Sequence, residues 1–152
     1  MRCLGLIGAR GGSKGIPRKN LVDLAGHPLI YYTFTEALKS ESLDRVVLTT
    51  DDAEIAELAR TCGVEVPFLR PEHLASDTAS LADAIEHAVE WLREHDGYVP
   101  DALLLLQPTS PLRQAKHIDE AIALFERENA GSVIGLSPPQ EHPWDMVYFE
   151  NG

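Results

Sequence analysis

The feature that most constrains this chain is a regular alternation of short apolar runs with amphipathic stretches. "CLGLIG" (3–8), "RVVLTT" (45–50), "VEVPFLR" (64–70), "DALLLLQ" (101–107) and "SVIGLS" (132–137) have the length and content of strands. "DALLLLQ" is continuous enough to be buried on both faces. Between the runs lie "HPLIYYTFTEALKS" (27–40), "DDAEIAELARTCG" (51–63), "SLADAIEHAVEWL" (80–92) and "AKHIDEAIALFERE" (115–128), which carry helical periodicity. The first predicts a helix with Pro28 in its opening turn and Leu29, Tyr32 and Leu38 along one side. Asp51 or Asp52 can cap the second and Gly63 can close it. The third aligns Leu81, Ile85, Ala88 or Val89, and Leu92. This order predicts an α/β fold of three layers, a mainly parallel sheet between helices. Such sheets bind ligands at the carboxyl ends of their strands. The chemistry is therefore expected in the loops after residues 8, 49 and 106.

A chain of 152 residues, 44% apolar, suits one domain with a real core. Its formal charge of −11 argues against a general nucleic-acid binder or a binder of anionic membranes, which need a broad positive field. Cys3 and Cys62 form no disulfide framework or zinc spacing and read as free thiols. The first apolar run is broken by Arg2 and Arg10, and no later run reaches the roughly 20 residues of a membrane span, so a cytoplasmic protein is expected. The six histidines show no ligand spacing. The last residues, "EHPWDMVYFENG", follow the final strand with no later element to pack against.

Against that acidic background, "LIGARGGSKGIPRKN" (6–20) gathers Arg10, Lys14, Arg18 and Lys19, four of only thirteen Lys and Arg residues. Gly8, Gly11, Gly12 and Gly15 allow the backbone to turn its N–H groups inward as an anion-binding nest. The spacing is neither GxxxxGK[ST] nor GxGxxG. A lysine about 4 Å from a phosphate oxygen contributes roughly 4 kcal/mol at an effective dielectric of 20. Several such contacts suit a nucleoside triphosphate. The plainer alternative is a solvated basic loop.

"ARGGSKGIPRKN", "TDD", "FLRPEHLASDTAS" and "LLLQPTSPLR", taken together and in this order, resemble the acylneuraminate cytidylyltransferases, the CMP-N-acetylneuraminate (CMP-sialic acid) synthetase family. The resemblance runs from residue 4 to about 144, and departs where Gly8 stands in place of a common proline. It implies a Rossmann-like nucleotidyltransferase fold. It also implies transfer of CMP from CTP to the anomeric hydroxyl of a nine-carbon 2-keto sugar acid, with release of pyrophosphate. N-acetylneuraminate is the first expectation, with legionaminic and pseudaminic acids, or a non-catalytic nucleotide-binding module, as alternatives. Residues 1–152 would be one nucleotidyltransferase domain lacking the C-terminal part of the family domain, with Mg²⁺ ligands and much of a homodimer interface in that later part.

On this reading Arg10, Gly11, Gly12, Ser13 and Lys14 hold the triphosphate, Lys19 stabilises charge at the α-phosphate, and Asn20 meets the ribose or a phosphate edge. Arg10 and Lys19 are the candidates for catalysis. The resemblance brings Arg70 and Ser80 to the cytosine and its sugar, although a strand-end charge and a helix cap are their plainer roles. It assigns Gln107 to the acceptor side; Thr109 and Ser110 are the further candidates for binding the sugar acid, on the same proline-bounded turn as Arg113, with a purely structural turn as the plainer role. Arg18 reads as a solvent-facing charge. Asp51 and Asp52 suit a metal, but a cap at a helix start is the favoured role, and no metal ligand is assigned.

Overall fold

The computed structural model describes residues 1–12, 15–76 and 78–136. Its main sheet has three parallel strands, β1 (Cys3–Gly8), β4 (Arg45–Thr49) and β5 (Ala102–Leu106), in the order β4-β1-β5. The register sets Leu6 of β1 beside Val47 on one flank and Leu105 on the other. Parallel strands need crossovers, and α1 (Leu29–Lys39) supplies the one from β1 to β4 and α2 (Ala53–Cys62) with α3 (Leu81–Asp96) the one from β4 to β5; α4 (Ala115–Arg127) follows β5.

Strand alternation sorts the core into two halves. Cys3 and Ile7 of β1, with Val46 and Leu48 of β4, pack against Ile30, Phe34 and Ala37 of α1, Ile55 and Ala59 of α2, and Ile118 and Ile122 of α4. Leu4, Leu6 and Val47 face the other way, onto Ala88 and Leu92 of α3. The result is the predicted helix–sheet–helix layering.

Several local expectations change. α1 buries Ile30, Thr33, Phe34 and Ala37 rather than the Leu29–Tyr32–Leu38 side, and Leu38 is exposed. Pro28 precedes α1 and belongs to β3 (His27–Pro28), which pairs antiparallel with β2 (Asp23–Leu24). Ala25 and Gly26 both take positive φ, 52° and 94°, the backbone a two-residue hairpin turn requires. "VEVPFLR" contributes only an isolated bridge, Val47 to Glu65. The Glu65 amide donates to Val46 and its carbonyl accepts from Leu48, but Pro67 has no N–H with which to continue the ladder. β5 is only half-buried, because β1 alone pairs with it among the described residues. Residues 132–136 form no strand and have no strand partner among the described residues, and Ile134 and Leu136 are exposed. Ser137 and the segment "EHPWDMVYFENG" lie outside the described residues. Cys3 is buried, Cys62 is half-buried, and both are free.

Candidate functional site

A cleft of about 470 Å³ opens at the carboxyl ends of the strands. Gly8, Ala9, Arg10 and Gly12 reach it from the end of β1, and Leu105, Gln107, Pro108 and Thr109 from the end of β5. Because β1 is central, with its chain partners β4 and β5 on opposite sides, this is where the direction of crossover reverses. Lys19 and Asn20, in a short 3₁₀ turn (Lys19–Leu21), line a further wall with Arg70, Ser76 and Ser80.

The glycine loop is held by its neighbours. The Gly11 amide donates to Asp51 Oδ1 (3.0 Å), and a Cβ at Gly11 would stand 2.6 Å from Asp52 Oδ2. Gly11 is therefore required by close approach to the start of α2, and its N–H is engaged there; it does not line the cleft. Asp52 caps α2, accepting from the amides of Glu54 (2.9 Å) and Ile55 (3.1 Å). Arg18 pairs with Asp52 (3.2 Å) and Glu54 (2.7 Å) and fastens the far end of the loop to the same helix start. Its side chain is half-exposed but not simply solvated. The cap reading thus holds for Asp52, whereas Asp51 anchors the loop, a role sequence reasoning missed.

Arg10 lines the cleft and donates from Nη1 to the Ser76 carbonyl (3.1 Å), while Asn20 Nδ2 donates to the Arg10 carbonyl (3.2 Å). The amide of Asn20 therefore braces the loop from inside the cleft. Arg70 is buried, with 8% of its surface exposed. Its Nε donates to Thr49 Oγ1 (3.1 Å) and its Nη2 to the Thr49 carbonyl (2.7 Å). Burial pushes this guanidinium below the usual arginine range; Asp51 opposes that shift and Arg10 adds to it. A Cβ at Gly8 would meet Leu81 at 3.6 Å and Arg70 Nη2 at 3.8 Å, ordinary contacts, so a larger residue is sterically admissible there.

Ser80 plays two parts. Its Oγ accepts from the Ala82 amide (3.0 Å) as the cap of α3, and with Ala79 and Leu81 it brings the positive end of that helix to the cleft. At the end of β5 the Gln107 carbonyl accepts from the Ser110 amide (3.3 Å) and from Arg113 Nη2 (2.9 Å), closing the turn that carries Gln107 and Thr109. Ser110 and Arg113 thus shape this wall without lining it. Burial lowers the Arg113 guanidinium as well.

Of the residues singled out from sequence, the cleft brings together Gly8, Arg10, Gly12, Gly15, Lys19, Asn20, Arg70, Ser80, Gln107 and Thr109. Ser13 and Lys14 lie outside the described residues. The loop after residue 49 supports the site from behind, through Thr49, Thr50 and Asp51, rather than lining it. Among the described residues, no group of three or more His, Cys, Asp or Glu side chains is arranged to hold a metal ion. No helix among them is long and apolar enough to cross a membrane.

Residues 4–141 match the family described as Cytidylyltransferase. The chain is 36% identical over 151 residues to a pseudaminic acid cytidylyltransferase of Campylobacter jejuni, covering 99% of this chain and 64% of that protein. It is 39% identical over 125 residues to an N-acylneuraminate cytidylyltransferase of Escherichia coli, covering 82% of this chain and 28% of that one. Its fold superposes with a TM-score of 0.69 on the structure of CMP:2-keto-3-deoxy-manno-octonic acid synthetase complexed with CTP, at 22% identity, covering 86% of this chain and 49% of the other. The chain spans less than two thirds of the length of each of these proteins. With a matched segment that includes β4, β5, all of β1 but Cys3, and every residue lining the cleft, the chain belongs to the cytidylyltransferase family.

Proposed function

We propose that this chain carries the nucleotide-activating site of an enzyme that transfers CMP from CTP to the anomeric hydroxyl of a nine-carbon 2-keto sugar acid, N-acetylneuraminate or a relative. The observation that carries the reading is convergence in an otherwise acidic chain: Arg10, Lys19 and Arg70 meet the N-terminus of α3 in one cleft, which the polar Gln107 and Thr109 also line. In the reaction an oxygen–phosphorus bond forms at the α-phosphate, the bond to pyrophosphate breaks, and the hydroxyl proton is lost. Alignment and neutralisation of charge are what the protein must supply. Arg10 and the loop take the triphosphate. Lys19 faces the α-phosphate as charge develops, Arg70 and Ser80 hold the base and its sugar, and Gln107 with Thr109 orients the acceptor.

Mg²⁺ belongs to the same proposal, but the described residues do not fit it. Asp51 and Asp52 are engaged by the Gly11 amide, the cap of α2 and Arg18, and no group of three or more His, Cys, Asp or Glu among the described residues is arranged to hold a metal ion. The ligands would lie elsewhere in the complete protein.

The test is pyrophosphate release by the full-length protein with CTP, Mg²⁺ and a panel of N-acetylneuraminic, legionaminic and pseudaminic acids. Release that requires both CTP and one of these acids is expected. CTP binding without release in any combination would overturn transfer and leave a nucleotide-binding module.

A further inference from the structure

The buried arginine of the cleft is held in an unusual way. Among the described residues Arg70 has no carboxylate in ion-pair distance, and both hydrogen bonds from its side chain go to neutral oxygens of a single residue, Thr49. A guanidinium carries five N–H groups in a fixed fork. The Nε–H and the neighbouring Nη2–H form one edge of that fork, and Thr49 takes both, the first with its hydroxyl and the second with its carbonyl. Three N–H groups remain, two of them forming the terminal Nη1–Nη2 edge, and Arg70 lines the cleft.

Thr49 is itself fixed. It ends β4, is 1% exposed, and pairs in register with Gly8 of β1. Its carbonyl also accepts from the Ala9 amide (3.1 Å), so one peptide oxygen ties Arg70 to the start of the glycine loop. The Arg70 amide donates to the Thr50 carbonyl (2.7 Å), which anchors its backbone at the same strand end. Among the described residues only the Thr49 hydroxyl and carbonyl accept hydrogen bonds from the guanidinium, and of these two only the hydroxyl can be removed by substitution.

We propose that Thr49 is a positioning residue: its hydroxyl fixes the plane of the Arg70 guanidinium so that the terminal edge meets the nucleotide base in one orientation, and it thereby contributes to discrimination between CTP and UTP. The inference rests on the reading that Arg70 contacts the base. An arginine free to rotate would still attract every nucleoside triphosphate, but would present its donors to acceptors in no fixed register.

The test compares equilibrium dissociation constants for CTP and UTP in the full-length protein and in Thr49→Val, Thr49→Ala, Thr49→Ser and Arg70→Ala. Thr49→Val keeps a β-branched residue in the strand and removes only the hydroxyl acceptor. It should narrow the CTP-to-UTP preference about 5-fold to 30-fold, the ratio that corresponds to a change of one or two kcal/mol. Thr49→Ser should keep the preference within about 2-fold, because its hydroxyl can accept from Nε. Thr49→Ala, which adds no new group, replaces Thr49→Val if the latter does not fold. Uniform weakening of CTP and UTP in the hydroxyl-free variants, or an unchanged preference while Arg70→Ala loses it, would overturn the role of Thr49 and leave the base contact intact. An unchanged preference in Arg70→Ala would overturn the base contact, and the inference with it.

Discussion

Lys19 shows how much one residue's placement can decide. It opens the short 3₁₀ turn and lines the cleft, while the next residue, Asn20, is tied back to the Arg10 carbonyl. On the proposed reading that charge meets a phosphate whose own charge grows during reaction, and an interaction that strengthens only in the transition state acts on turnover rather than on binding. Lys19→Ala is therefore expected to lower kcat by about 100-fold or more, the scale for removal of one preorganised electrostatic donor. CTP affinity should fall much less. Single-turnover rates and CTP titration on the same protein check this, and equal losses in both would assign Lys19 to ground-state binding. At this scale residue type was legible in the sequence, but partners were not. Arg10, Lys19 and Gln107 announce themselves by charge and by position after an apolar run. Nothing in "TTDD" says that Asp51 holds Gly11 while Asp52 caps α2, because that division depends on which carboxylate the fold brings beside the β1 loop.

At the scale of elements, α1 and α4 are braced in both directions by carboxylates. Glu36 of α1 accepts from the Ala115 amide at the start of α4 (2.9 Å), and Asp119 of α4 accepts from the Ser40 hydroxyl (2.5 Å) and Ser42 amide (3.2 Å) just past α1. Donation from Lys39 and then from the Ala115 amide holds Glu36 below its ordinary carboxylate value; donation from the Ser40 hydroxyl does the same first for Asp119. A folded state with depressed carboxyl pKa values binds fewer protons than the unfolded chain, so unfolding takes up protons. The resulting stability is fully present above the ordinary values of 4.5 and 3.8, and is lost as pH falls through the lower folded values. Glu36→Gln combined with Asp119→Asn should lower stability near neutrality and flatten its fall below about pH 4.5. Urea denaturation across that range checks it, and parallel acid limbs would exclude these braces as a source of acid sensitivity. The helices themselves were legible because their periodicity, the Asp52 cap and the Gly63 close are local signals. The segment 64–70 was not, because its apolar content is strand-like while its pairing ends at Pro67. The face of α1 was misread because Leu29, Tyr32 and Leu38 compete with Ile30, Phe34 and Ala37 in the same window, and only packing on the sheet selects between them.

Across the whole molecule, the strand order divides the cleft. β4 lies on one side of β1 and supplies, through Thr49 and Thr50, the support for Arg70; β5 lies on the other and delivers Gln107; β1 between them sends out the loop with Arg10. On the proposed reading this is a base wall, a phosphate floor and an acceptor wall, in the order of the strands. Among the described residues Arg70 and Gln107 share no hydrogen-bond partner, since one is anchored to Thr49 and Thr50 and the other to the turn closed by Ser110 and Arg113. If the proposed acceptor role holds, Gln107→Ala removes a polar group that would meet a hydroxyl-rich sugar, and an unpaired polar group in such a site costs about 1 to 3 kcal/mol. In the full-length enzyme the sugar-acid kcat/KM should drop roughly 5-fold to 150-fold, with CTP affinity measured without sugar nearly unchanged. Arg70→Ala should do the reverse, eroding the preference for CTP over UTP and leaving the dependence on sugar concentration alone. Separate walls also require that the two losses add in the double variant to within about 0.5 kcal/mol, or roughly twofold in kcat/KM. Steady-state kinetics over a grid of CTP and sugar-acid concentrations measures all three. A collapse of CTP binding in Gln107→Ala, or a double variant no worse than either single one, would mean that the two residues act on the same part of the ligand and that the strand order does not partition the cleft.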